Sequence, residues 1–304
     1  MNTFEKARQF IYRNARPLEL ARWQFHFENG SSEAVLHALS FYQNEDGGFG
    51  HGIESDFLNP NSSPMAAWAA AEILNEINFS DKTHPIVTGI LRYLESGADF
   101  DTQLDQWLNT VPSNNDYPHA VWWTYNGNDG GNYNPTAALA AFILKFAEPS
   151  SELYSKACSI STKAVEFFVN SVPFVEQHVT ACFVTLYNIL NEYAPALTDM
   201  ELFRQKLCEN VKTCICPETE KWATEYVTKP SDFRITPDSI FYPDNKAAAD
   251  YECDFIINSQ LSDGGFKVTW QWWTDYTEYH VSANRWQSVF AINNMRYLKA
   301  YNKI

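Results

Sequence analysis

Gln43-Asn44-Glu45-Asp46-Gly47-Gly48-Phe49-Gly50 is matched near the other end of the chain by Gln260-Leu261-Ser262-Asp263-Gly264-Gly265-Phe266. The shared pattern is Gln-x-x-Asp-Gly-Gly-Phe, and a degenerate third copy reads Asp129-Gly130-Gly131-Asn132-Tyr133. Paired glycines adopt φ > 0 at no steric cost, and the preceding Asp can bond the amides of the turn. The Gln, placed at a helix end, can reach free carbonyls with its own amide. The aromatic residue after the glycines can pack back over the turn. Each copy therefore reads as helix, tight turn, loop and next helix, and repeated units of that kind predict an array of helix pairs. The third copy taken alone also fits an ordinary Asp-Gly-Gly turn.

Working outward from the turns, apolar spacing and capping residues predict helices over about 3–14, 17–28, 31–43, 64–77, 83–97, 101–109, 135–147, 151–171, 175–193, 198–214, 245–260 and 282–302. Ser63-Pro64 is a cap followed by a first-turn proline, and Pro17 opens a helix in the same way. Three helices have almost no polar face: Met65 to Leu74, Pro135 to Leu144 and Val179 to Leu186. A helix apolar all round must be buried on all sides. Others are one-sided. Leu153, Ala157, Ile160, Ala164 and Phe168 form one stripe, and Leu202, Leu207 and Val211 are the apolar positions of the helix near 199–214. Buried helices alternating with half-wet ones are what two concentric rings require. The expected fold is all-α: six helical hairpins in two rings, an α/α toroid. No alternating β-branched runs predict a sheet. Residues 215–244 carry Pro217, Pro230, Pro237 and Pro243 and read as an irregular excursion. No Gly/Ser-rich linker interrupts the chain, so residues 1–304 are expected to form one domain.

Composition narrows the function. The chain is 45% hydrophobic and 15% aromatic, enough for a large core with rings left over to line a ligand cavity. A net charge of −15 argues against nucleic acid or an anionic membrane as partner, since both demand basic patches. No window approaches a membrane span, and Met1 to Lys6 lacks the basic-then-apolar form of a signal peptide. Six cysteines without such a signal read as reduced thiols, so a cytoplasmic location is expected. Cys208, Cys214 and Cys216 lack the second Cys or His pair of a finger-type zinc site.

The Gln-x-x-Asp-Gly-Gly-Phe turns resemble the repeats of the terpenoid cyclase and protein prenyltransferase superfamily. Gln43 to Asp56, Pro118 to Trp123, Asn134 to Ala137 and Gln260 to Trp272 carry that likeness. The whole chain resembles small bacterial members that are described only as prenyltransferase-like or squalene-cyclase-like. The resemblance implies a toroid of six hairpins around a central cavity, and an apolar or isoprenoid ligand within it. The reactive motifs depart from the pattern. The Asp-x-Asp-Asp of squalene-type cyclases and the Asp-Asp-x-x-Asp of ionisation-type synthases are both missing. A prenyltransferase-type zinc site needs an Asp, a Cys two residues later and a distant His. Here Asp250 and Cys253 are three apart and precede their turn, while His280 follows it. No metal and no other cofactor is expected.

Three clusters are candidate sites. His51, Glu54 and Asp56 place an imidazole and two carboxylates within six residues, suited to acid–base work if they face a cavity and otherwise a solvated loop. His119, Trp122 and Trp123 offer a stacking platform, or fill a gap between helices. Trp270, Trp272, Trp273, Asp275, Glu278, Tyr279, His280 and Trp286 form the densest aromatic-plus-acid segment, joined by Glu225 and Tyr226 of the excursion. Glu54, Asp56, His51, Glu278 and Asp275 are the catalytic candidates, and the others are ligand-binding candidates. Rings beside carboxylates suit a carbocation-forming isoprenoid or an oligosaccharide stacked on Trp and cut by paired acids. A non-catalytic binding protein is the third reading. The sequence shows no Lys/Arg cluster to hold a diphosphate.

Overall fold

The computed structural model describes residues 1–127 and 130–304. Asp129, the first residue of the degenerate third repeat, therefore lies outside the described residues. The α-helices are α1 (Thr3–Asn14), α2 (Pro17–Phe27), α3 (Ser32–Ser40), α4 (Pro64–Glu76), α5 (Pro85–Glu95), α6 (Thr136–Phe146), α7 (Glu152–Ser171), α8 (Gln177–Tyr193), α9 (Met200–Cys214), α10 (Tyr242–Ser259) and α11 (Tyr279–Ala300). The all-α expectation holds among the described residues, and no described helix is long and apolar enough to cross a membrane.

Capping chemistry sets the helix starts. Asn2 accepts from the Glu5 amide, Ser63 from Ala66 and Ser151 from Tyr154, while Ser31 accepts from Ala34 ahead of α3. Pro17 and Pro64 occupy first-turn positions, where a missing N–H costs nothing. Pro243, the last proline of the irregular stretch, does the same for α10, which begins earlier than the apolar pattern indicates.

One expected helix is absent. Residues 101–109 form part of a small antiparallel ribbon, β1 (Phe100–Asp101) with β2 (Gln106–Trp107), pairing Phe100 with Trp107 and Asp101 with Gln106. Asp101 is the local cause: its Oδ1 accepts from the amides of Gln103 and Leu104, which bends the chain away from helix. Asp105 completes the reversal at φ +57°. The Trp107 amide then donates to Thr136 Oγ1 at the start of α6.

The two full repeats have the same geometry. Gln43 lies past the end of α3 and Gln260 just past α10, and neither amide serves its own helix. Gln43 Nε2 donates to the Gly47 carbonyl (3.0 Å) and to the Ile86 carbonyl in the first turn of α5 (3.1 Å). Gln260 Nε2 donates to the Gly264 carbonyl (3.0 Å) and to the Thr3 carbonyl in the first turn of α1 (2.9 Å). Asp46 Oδ1 accepts from the Gly48 amide and Asp263 Oδ1 from the Gly265 amide. Gly47 stands at φ +93° and Gly264 at φ +98°. A Cβ on Gly47 would lie 2.2 Å from the Gly89 carbonyl oxygen of α5, and one on Gly264 2.1 Å from the Lys6 carbonyl oxygen of α1. The motif is thus a clamp that seats a turn on the backbone of another helix. Phe49 and Phe266 are buried behind it. The described part of the third copy docks differently: Gly130 faces the Leu104 side chain.

Two compact units are distinguished, residues 40–210 and residues 1–39 with 211–304. In the first, α6 is the hub, packed against α8, α7, α4 and α5. Every α6 residue except Lys145 is buried, and neither 65–74 nor 179–186 contains an exposed residue. The helices lacking a wet side are therefore interior, as their composition requires. The α7 stripe from Leu153 to Phe168 is buried as expected. On α9 the buried stripe is Phe203, Leu207 and Val211, whereas Leu202 is 39% exposed. Phe203 takes the inward position because it meets Phe168, Phe183 and Tyr187. In the second unit α11 packs against α1, α2 and α10 over Ala7, Ile11, Trp23, Ile292 and Met295. The stretch before α10 holds only the short 3-10 turns Thr219–Ala223 and Pro230–Phe233, in keeping with its prolines.

Candidate functional site

Two loops of the unit formed by residues 40–210 bring separate sequence clusters together. The Leu58 amide donates to the Pro118 carbonyl, and the Ala120 amide to the Asp56 carbonyl, both at 2.8 Å. Phe57 and His119 face each other between these bonds as an antiparallel bridge. The first repeat's acidic loop is thereby joined to the loop carrying His119, Trp122 and Trp123. Glu54, Asp56 and His119 are all buried, at 9%, 3% and 6% exposure. Glu54 Oε2 accepts from the Asp56 amide, which folds that carboxylate over its own loop.

The imidazole of His119 is fixed at both nitrogens. Nδ1 lies 2.6 Å from the Tyr117 carbonyl, which can only accept, so Nδ1 carries a proton. Nε2 lies 3.1 Å from Thr124 Oγ1, and in the neutral ring it accepts from that hydroxyl. Trp123 packs edge-on to Phe57 at 5.0 Å. Its indole Nε1 is buried with no hydrogen-bond partner, a donor available to a bound group. Trp122 is 41% exposed beside it. His51 stands apart: it is exposed at φ +57°, with Nε2 2.8 Å from Asn44 Oδ1.

A hydrogen-bonded scaffold that sequence reasoning missed holds these loops. Fully buried Asn59 donates to Ser113 Oγ (2.8 Å) and Asn114 Oδ1 (3.0 Å), and its own Oδ1 accepts from the Asn61 amide. Asn114 Nδ2 donates to the Trp123 carbonyl. The available signal was the density of Asn in 59–61 and 114–115, which reads from sequence as ordinary turn composition. Residues 46–81 and 93–144 contain no Lys or Arg.

The third cluster divides. Trp270 packs edge-on to Tyr226 (5.2 Å), Trp286 (5.5 Å) and Phe290 (5.7 Å), forming a four-ring group. Trp286 Nε1 is also buried without a hydrogen-bond partner. Tyr279 donates its hydroxyl to the Trp270 carbonyl and meets the fully buried Trp272. Trp273 is 73% exposed at φ +56°, and Glu225, Asp275 and His280 are exposed, with Glu278 half-buried. Glu225 and Asp275 therefore sit in solvent, while Tyr226, Trp270 and Trp286 pack together and Trp273 stands apart. Elsewhere, on α10, Glu252 is a fully buried acid that the sequence did not single out. Ser231 donates to it from both its amide (2.8 Å) and its hydroxyl (2.6 Å). Burial pushes its carboxyl up to about 7, and the Ser231 bonds pull the other way.

Among the described residues no group of three His, Cys, Asp or Glu side chains converges as metal ligands would. Asp250 is held by Lys246 and the Tyr242 hydroxyl, and Cys253 points its thiol at the Ala249 carbonyl. No protein-family model, curated protein or solved structure matches the chain.

Proposed function

We propose that the protein is an enzyme acting on a small, unphosphorylated ligand by general acid–base chemistry at Glu54, Asp56 and His119. The carrying observation is the burial of these three groups on two backbone-paired loops whose surrounding sequence contains no Lys or Arg. Burial raises the electrostatic strength of such groups, and the two loops themselves offer a diphosphate no Lys or Arg to pair with. The Trp123 indole N–H, buried without a partner, supplies a further donor, which suits a hydroxylated ligand of the saccharide class. The exposed ring of Trp122 is a stacking surface for it. We propose an α/α toroid of the terpenoid cyclase and protein prenyltransferase type as the scaffold, because both full repeats clamp onto a helix first turn in the same way.

A second reading, an uncharged isoprenoid ligand, is favoured by the ring group Tyr226, Trp270, Trp286 and Phe290, whose faces suit an apolar chain or a developing cation. One experiment separates the two. Thermal shifts of the full chain are measured with neutral oligosaccharides, an uncharged isoprenoid alcohol and a prenyl diphosphate, then repeated with Glu54→Gln, Asp56→Asn and Trp286→Phe. Oligosaccharide stabilisation lost in the two acid variants and kept in Trp286→Phe is the expected pattern. Stabilisation by the isoprenoid alcohol, lost only in Trp286→Phe, establishes the second reading instead. Binding of the diphosphate alone refutes both.

A further inference from the structure

Trp273 stands in solvent under conditions that folding alone does not favour. It is the most exposed tryptophan of the chain, at 73%, and its backbone is left-handed at φ +56°. That conformation is unfavourable for a bulky residue, and a ring left in water recovers nothing by burial. The Trp273 side chain meets no other ring and no hydrogen-bond partner among the described residues. The loop that carries it is nonetheless anchored. Trp272 is fully buried against Tyr279, and the Tyr279 hydroxyl donates to the Trp270 carbonyl at 2.7 Å. A strained, fixed and unpacked side chain points to a task outside the fold.

The surroundings of the ring define what it would recognise. Tyr276 is 37% exposed, and Tyr226, held edge-on to Trp270 at 5.2 Å, is 50% exposed. Glu225 and Asp275 are exposed and Glu278 is half-buried. None of these three carboxylates has an ion pair or a side-chain hydrogen bond among the described residues, and residues 268–284 contain no Lys or Arg. Exposed rings beside uncompensated carboxylates complement a cation: the ring face attracts a guanidinium, and a carboxylate takes its paired N–H groups. The same acids are repelled by an anionic membrane surface, so the rings do not fit a membrane anchor. With most of its surface in water, Trp273 is a platform and not a pocket wall. A small cation there would keep most of its own water, whereas an extended partner covers rings and acids together. Trp and Tyr on one side and Arg on the other are the residue types that dominate protein interfaces.

We propose that the loop between the second repeat and α11 is a docking surface for an arginine-rich segment of a partner protein, whose guanidinium groups stack on Trp273 and pair with Asp275, Glu278 and Glu225. It requires neither reading given above, since the acid–base loops lie in the other unit and the four-ring group does not include Trp273.

The test is fluorescence anisotropy of a fluorescein-labelled hexa-arginine peptide titrated with the full chain at about 50 mM and about 150 mM potassium chloride, which screen exposed charges to different degrees. Saturable binding is expected. Trp273→Gly keeps the net charge and suits φ +56°, so its melting temperature should equal or exceed that of the wild type while peptide affinity falls about tenfold or more. Asp275→Asn combined with Glu278→Gln should weaken binding and flatten its dependence on salt. No saturable binding up to about 1 mM protein, the weak end of useful affinities, overturns the proposal. So does binding that Trp273→Gly leaves unchanged, because the peptide is then drawn by overall charge alone. A lower melting temperature in Trp273→Gly shows that the ring supports the fold and removes the premise. Binding of a neutral oligosaccharide in place of the peptide, lost in Trp273→Gly, makes the platform a sugar site and refutes the docking of a basic partner.

Discussion

Gly264→Ala tests the clamp directly. At φ +98° any side chain is strained, at about 1–2 kcal/mol. The new methyl would start 2.1 Å from the Lys6 carbonyl oxygen and 2.6 Å from its carbon, both backbone atoms of α1. Relief requires the turn to lift off the helix by more than 1 Å, judged against ordinary carbon contacts near 3.5 Å. That movement stretches the Gln260 bond to Thr3, worth about 0.5–1.5 kcal/mol net, and loosens Phe266 from its buried position. The first two terms add to about 1.5–3.5 kcal/mol, and partial loss of the Phe266 burial, about 1.5 kcal/mol, brings the total to about 3–5 kcal/mol, a large share of the stability of an ordinary domain. Gly131→Ala is the internal control: Gly131 has φ +88° but nothing within 4 Å of a Cβ, so only the dihedral cost of about 1–2 kcal/mol applies. Urea unfolding followed by tryptophan fluorescence and circular dichroism reads both variants. If Gly264→Ala costs no more than Gly131→Ala, the turn is not seated on α1 as described and the reasoning fails.

Glu252 predicts a pH effect. Its folded carboxyl titrates near 7, above the ordinary 4.5, so the folded chain keeps a proton that the unfolded chain releases. That contribution is complete below about 4.5 and is lost as pH rises toward 7, with a ceiling of about 3 kcal/mol. Glu252→Gln should flatten the slope of stability in that window; a slope equal to wild type counts against it. Phe183→Ala removes a ring shared by Phe168, Phe203 and Tyr133 and should cost about 3–5 kcal/mol, read from the urea midpoint. Asn114→Ala cuts the tie to the Trp123 carbonyl and leaves Asn59 a donor short of a partner, costing about 1–3 kcal/mol. Hydrogen exchange should then quicken at the Leu58 and Ala120 amides, and unchanged protection there argues against the scaffold role.

Much of the fold was legible because its signals are local. Ser63-Pro64 announces α4, the apolar run 136–144 announces a buried helix, and Gln-x-x-Asp-Gly-Gly-Phe announces the turn. The helix expected at 101–109 failed for an equally local reason, the Asp101 side chain competing for backbone amides. Leu202 failed for a different one: Leu202 and Phe203 are both apolar, and only the rings of α7 and α8 decide which turns inward. The candidate site was legible residue by residue but not as a group. Asp56 and His119 each stood out as titratable, yet nothing in sequence says that residues 56–58 pair with 118–120. The glutamine clamp was half legible: the amide does seek carbonyls, but those of a helix distant in sequence.

The split of one unit between the two chain ends also sets an order in time. During synthesis residues 40–210 emerge as one continuous compact unit, whereas α1 and α2 emerge first, before the α11 they pack on. The opening helices must wait, apolar faces uncovered, until the ribosome has delivered the last repeat and the glutamine that fastens it to Thr3. A nascent chain halted near residue 210 should therefore hold a protease-resistant middle and a digestible beginning, and only the final ninety-odd residues should bring that beginning under protection.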